Sequence, residues 1–203
     1  FFVASELLGD NPADNYTGQL LMITLSISEK TKQRSSSLAS ARKLSKWVLA
    51  MVEKMKGPRE KNEQSEFDEL EAILSDAEES LRRLSQRLHY DAQKWNQKEL
   101  WALGKESYEV YLNTYKDTKE IIEMRYRYSA LLFKLALNVE THENLGILLG
   151  MINKDHPRFQ EALKLRVQAI EQATSAQRKV LDDKKLIIAY DEFAKYFPKD
   201  PLA

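Results

Sequence analysis

The chain has no cysteine, which excludes a disulfide framework and any thiolate metal site. Only 6 glycines and 5 prolines occur among its 203 residues. Turn signals are therefore sparse, and long helices are allowed. Lys plus Arg number 31 and Asp plus Glu number 31, so the formal net charge is zero. Nucleic-acid binders carry a basic excess, so no nucleic-acid partner is expected. No run of about 18 apolar residues is present, and no segment is expected to span a membrane. The start, Phe1-Phe2-Val3-Ala4, lacks both a methionine and a basic leader. It reads as a piece of something longer and not as a signal peptide. The sequon Asn15-Tyr16-Thr17 reads as a chance match, because nothing else points to secretion.

Hydrophobic residues make up 43% of the chain and charged residues 31%, a globular or coiled-coil composition. The zero net charge hides a strong asymmetry. Positions 20–61 hold ten Lys or Arg against three acids, and positions 62–91 hold nine acids against three Arg. Such segments either pair with each other or leave the basic one for an anionic surface.

Periodicity predicts a loop-rich lead-in over 1–18 and a first helix over 19–56. Leu38, Ala41, Leu44, Val48, Met51, Val52 and Met55 recur at helical spacing, Ser35-Ser36-Ser37 is a weak spot, and Gly57-Pro58 is a stop. A second helix over 62–140 contains no proline and one glycine, Gly104; unbroken, it would exceed roughly 100 Å. Phe67, Leu70, Leu74, Ala77, Leu81, Leu84, Leu88 and Trp95 form a heptad seam in its first half. The seam slips before Trp101 and resumes through Tyr108 and Tyr115. A stutter of this kind beside Gly104 predicts a kink there. A connector with a short helix is expected over 141–157, and a third helix over 158–197. A seam this long needs a partner along its length, which predicts a homodimer or a heterodimer with a related chain.

No constellation for catalysis stands out, so no enzyme activity and no cofactor are expected. The three histidines, His89, His142 and His156, lie far apart. His142-Glu143 opens like a zinc-protease helix, but no second histidine follows at the required spacing. Glu66, Glu69, Asp76 and Glu79 read as a solvated acidic face. Trp101, Tyr108, Tyr111, Tyr115, Tyr126 and Tyr128 read as helix–helix packing, with Arg125 and Arg127 in the same surface. Two basic groups are candidates for contact with anionic lipid: Lys30, Lys32, Arg34, Arg42, Lys43 and Lys46, and Lys154, Arg158, Lys164 and Arg166.

The Trp near the middle of the second helix, the Tyr-rich heptads after it, the run Met124 to Tyr128, Ala189-Tyr190-Asp191-Glu192-Phe193 and Tyr196-Phe197 together resemble BAR domains, especially those of sorting nexins. The resemblance covers 66–197. It implies an all-α fold of long antiparallel helices in a coiled-coil bundle, dimerised into an elongated curved rod. It further implies a cytoplasmic, peripheral protein that binds and shapes anionic membranes, commonly on endosomes. A coiled-coil scaffold for protein partners, without lipid contact, is the alternative.

Overall fold

The computed structural model describes residues 14–57, 64–181 and 183–200. The chain is all-helical, as expected, with nine α-helices among the described residues. They are α1 (Asn15–Lys30), α2 (Arg34–Met55), α3 (Gln64–Trp95), α4 (Lys98–Thr114), α5 (Ile121–Lys134), α6 (Asn138–Met151), α7 (Phe159–Gln172), α8 (Ser175–Arg178) and α9 (Asp183–Tyr196). The chain divides into two compact units, residues 1–116 and 117–203.

The three long predicted helices are each interrupted. The first, over 19–56, breaks at 31–33 and not at Ser35-Ser36-Ser37, which lie inside α2. The run from Glu29 to Arg34 contains no apolar side chain, so continuing the helix there would bury nothing. Instead Lys32 takes the left-handed conformation, with φ 57°. The Gln33 amide donates to the Ser28 carbonyl and the Lys32 amide to that of Glu29, a Schellman cap that reverses the chain. Gly57 follows the end of α2 as expected, and Pro58 lies outside the described residues.

The helix expected over 62–140 is broken at Asn96, at 115–120 and at 135–137. Asn96 (φ 47°) and Ala136 (φ 56°) are left-handed, and both close α-helical ends with backbone hydrogen bonds. Gly104 marks no break: it is buried inside α4, and its carbonyl accepts the Ser107 hydroxyl. The reversal falls at Asn96, a residue type that tolerates the left-handed region. The helix expected over 158–197 is interrupted where Thr174 and Gln177 form a capping box that starts α8.

Unit 1 is built from two helical hairpins, α1–α2 and α3–α4. α2 packs on α4 as well as α1, and α1 packs on α3. α2 and α4 run the same way: Arg42 pairs with Glu106, and Ser45 meets Thr114 further along both. The core contains Leu25, Leu44, Met51, Leu81, Leu84, Tyr108 and Tyr111. At Gly18 the indole of Trp47 lies so close that an added Cβ would sit 2.4 Å from its nearest ring carbon, while the indole Nε1 donates to the Asp14 carbonyl at 3.1 Å.

In unit 2, α6 packs on α5 and α7, and α7 packs on α9. Phe159, Leu163, Val167 and Phe193 form one buried cluster, and Leu145, Leu148 and Ala162 another. Asn144 ties α6 to α5, donating to the Arg125 carbonyl at 3.0 Å and the Ser129 hydroxyl at 2.7 Å. Ile187 and Ile188 of α9 are exposed.

Candidate cationic surface and end cleft

The α1–α2 hairpin carries the charge excess seen in the sequence. Residues 14–57 hold eight Lys or Arg against the three acids Asp14, Glu29 and Glu53. Some of this charge is neutralised within unit 1. Arg34 binds Asp91 at 2.8 Å, Arg42 binds Glu106, Lys56 binds Glu53 at 2.8 Å, and Glu29 lies 3.8 Å from Arg87. Lys30, Lys32, Lys43, Lys46 and Lys54 are exposed, and among the described residues none has an ion pair. Lys43 and Lys46 are neighbours on the solvent face of α2, and Leu49 continues that face one turn on, 47% exposed.

A cleft opens at the end of unit 1 where both hairpins turn. Glu29, Lys32, Arg34, Arg87, Asp91 and Lys94 form its polar lining, and Trp95 stands beside them. Buried Leu84 and Leu88 also line it. Its volume is about 180 Å³. Trp95 was expected in the coiled-coil seam. It is 56% exposed, because the heptad count runs past the point where the chain turns at Asn96. The Lys94 ammonium sits 5.1 Å from its ring centroid. Glu29 is driven above the ordinary glutamate range by burial, which outweighs the opposing pull of Arg87 and Arg83.

The second basic group is arranged differently. Arg158 donates to Glu123 at 3.0 Å and to Glu161, and lies over the Tyr126 ring at 4.4 Å. Lys164 pairs with Asp200 at 3.5 Å. Arg166 is buried against Gly146 and lies 3.8 Å from Glu192. Burial pulls its guanidinium below the usual arginine value. Of the four, Lys154 alone is exposed without an ion pair among the described residues. Arg158, Lys164 and Arg166 are each paired with an acid within unit 2.

The seam residues are also placed inside the chain. Leu70, Leu81, Leu84, Leu88, Trp101 and Tyr108 are buried, and Phe67, Leu74 and Tyr115 are half-buried. α4, α1 and α2 pack on α3, so this stripe is covered within unit 1. The aromatic series is packing, as expected: Trp101, Tyr108, Tyr111 and Tyr128 are buried. His89 is buried, with Nδ1 3.1 Å from the Tyr108 hydroxyl. Glu66, Glu69, Asp76 and Glu79 are exposed. Among the described residues no group of three His, Cys, Asp or Glu is placed to hold a metal ion, and no helix is long and apolar enough to cross a membrane.

Sequence reasoning missed the contribution of α3 to the cleft: Arg87, Asp91, Lys94 and the exposed Trp95. Arg34 and Asp91 meet across 57 positions, and no local pattern signals such a pair. Comparison with family models, with curated proteins and with solved structures finds no match.

Proposed function

We propose that this chain is a non-enzymatic, peripheral membrane-associating protein that meets anionic lipid through the α1–α2 hairpin. The observation that carries the proposal is the set of five exposed lysines without ion pairs, Lys30, Lys32, Lys43, Lys46 and Lys54, on one hairpin. Each basic residue near an anionic bilayer contributes about 1 kcal/mol. Leu49 and Val52, exposed on the same helix as Lys43 and Lys46, supply apolar side chains of the kind that enter the headgroup boundary. In its wider form the proposal follows the BAR resemblance, with two copies presenting their hairpins on one side of an elongated coiled-coil dimer during transport at endosomal membranes. The narrower form needs one copy.

A helical scaffold for protein partners is the second reading. Tyr16, Ile23 and Ile27 favour it, since they lie on one face of α1 and are 67%, 55% and 47% exposed. A second copy of the chain would be one such partner.

Vesicle co-sedimentation separates the two. Phosphatidylcholine vesicles containing phosphatidylserine should sediment the protein at low salt. They should release it as added salt brings the screening length below about 10 Å. Absence of binding at low salt, by a folded chain, rejects the membrane reading in favour of the scaffold.

A further inference from the structure

We infer that the cleft at the end of unit 1 is a seat for a phosphate monoester. The cleft is lined by four cations, Lys32, Arg34, Arg87 and Lys94, against two carboxylates, Glu29 and Asp91. Each carboxylate is engaged by one arginine, so the lining has a surplus of two positive charges. A phosphate monoester carries about −1.5 to −2 at pH 7 and matches that surplus, whereas a carboxylate or a phosphodiester supplies a single charge. Arg34 gives Asp91 its Nε and one terminal nitrogen, and a guanidinium has five N–H donors. Arg87 holds Glu29 at 3.8 Å, beyond hydrogen-bonding range. Both forks therefore have donors to offer an oxyanion, the geometry in which arginine excels.

The rest of the lining defines what the phosphate is attached to. Leu84, Leu88 and the Trp95 ring present apolar surface to the carbon side of the ester. The volume, about 180 Å³, is below the roughly 300 Å³ at which pockets for drug-sized ligands begin. A phosphoryl group with a short alcohol such as glycerol fits that volume, and a nucleotide does not.

Lys32 adds a second, independent indication. Its backbone sits at φ 57°, in the cap position that glycine fills without strain. A lysine there lines the cleft at the expense of an unfavourable backbone. Strained residues of this kind cluster at ligand sites.

This inference shares Lys32 with the surface proposed above, yet it requires no bilayer, and the test keeps the two apart. The intact chain is titrated with inorganic phosphate and with glycerol 3-phosphate. Binding is read as the Trp95 fluorescence change, taken as the difference from the Trp95→Phe variant. In parallel, its binding is compared between vesicles of phosphatidylcholine with phosphatidic acid and with phosphatidylglycerol, at matched surface charge. The expected result is a saturable Trp95 response to both soluble probes and preference for the phosphatidic acid vesicles. Lys32→Gly should weaken both by about fivefold, the loss of one cation. It should melt no lower than the parent chain, because glycine relaxes the left-handed cap, so misfolding would not explain the loss. Lys94→Gln should act alike, and Lys43→Gln, outside the cleft, should leave the soluble probes unaffected.

A Trp95 response to the soluble probes without vesicle binding supports the cleft and overturns the membrane reading, since the monoester is then a free one. Vesicle binding that ignores headgroup chemistry, with no response to either soluble probe, overturns the cleft and leaves the membrane reading standing. Lys32→Gly binding as tightly as the parent chain also overturns it.

Discussion

The hairpin of unit 1 and the start of α7 in unit 2 each carry a cluster of cations, and the two clusters serve different ends. In unit 2, Arg158 bridges Glu123 of α5 and Glu161 of its own helix, and Arg166 is buried beneath Glu192. Those charges hold helices together. In unit 1, Lys43 and Lys46 point to solvent from α2, and the acids that would neutralise them by charge count lie along α3, whose Asp91 is already engaged by Arg34. Similar runs of Lys and Arg thus become structural where carboxylates face them and available where none does. The carboxyl groups show the same contrast. Burial would raise Glu123, but hydrogen bonds from Arg127 and Arg158 outweigh it and hold the group below the usual range. Glu29, buried with a looser partner, is held above it.

The sharpest way to break this contrast is to unfold one unit and watch the other. Leu81 is fully buried in unit 1, and Leu81→Ala should cost about 2–5 kcal/mol. Amide resonances of residues 14–116 should be lost first on heating, while those of unit 2 keep their parent melting. Simultaneous loss would show that the two units do not unfold separately.

Gly18→Ala tests the contact between α1 and Trp47. An overpacked methyl should destabilise unit 1 by about 1–3 kcal/mol, visible as a lower denaturant midpoint. No change would mean that the indole moves aside freely.

Arg158→Ala addresses the opposite unit. It removes partly exposed ion pairs and a cation–π contact, so about 1 kcal/mol of unit 2 stability should be lost. Vesicle binding should not change, and a fall would place Arg158 on the membrane face after all.

The smallest effect is on pH dependence. The fold holds the proton on Glu29 more tightly than the unfolded chain does. Unit 1 therefore gains stability from this group as the pH falls from neutral through its raised pKa. Glu123 has a depressed pKa, so its contribution is complete above the ordinary glutamate value and is lost as the pH falls through the depressed one. Glu29→Gln should remove an acid-side gain in unit 1 and Glu123→Gln an acid-side loss in unit 2, followed by thermal melts between about pH 6 and pH 3. Changes of the same sign would contradict the assignment.

Helical character and most of the buried stripe were legible in the sequence. Leu70, Leu81, Leu84, Leu88, Trp101 and Tyr108 were identified as apolar partners by spacing alone, and all are buried. What covers them was not legible, because a heptad seam is satisfied equally by a second copy and by a helix of the same chain. The turns were hidden for a related reason. Lys32, Asn96 and Ala136 reverse the backbone in left-handed conformations, and neither a glycine nor a proline advertises any of the three. Trp95 was misplaced as a result, since the heptad continues through the residue at which the helix stops. Of the candidate site, the lysines of the hairpin were visible as a charge run. Their division into paired and open members depends on contacts such as Arg34 with Asp91 and Arg42 with Glu106, which are remote in sequence.

The contrast between open and engaged cations is tested most directly by neutralising each in turn and measuring partition onto phosphatidylserine-containing vesicles at low salt. Lys43→Gln with Lys46→Gln removes about 2 kcal/mol of attraction, so binding should fall roughly thirtyfold with helicity unchanged. Lys164→Gln, which removes a cation paired with Asp200, should leave the partition coefficient within about twofold of the parent chain. Equal losses from the two variants, or no loss from the hairpin pair, would contradict the assignment of the membrane-facing surface to the α1–α2 hairpin.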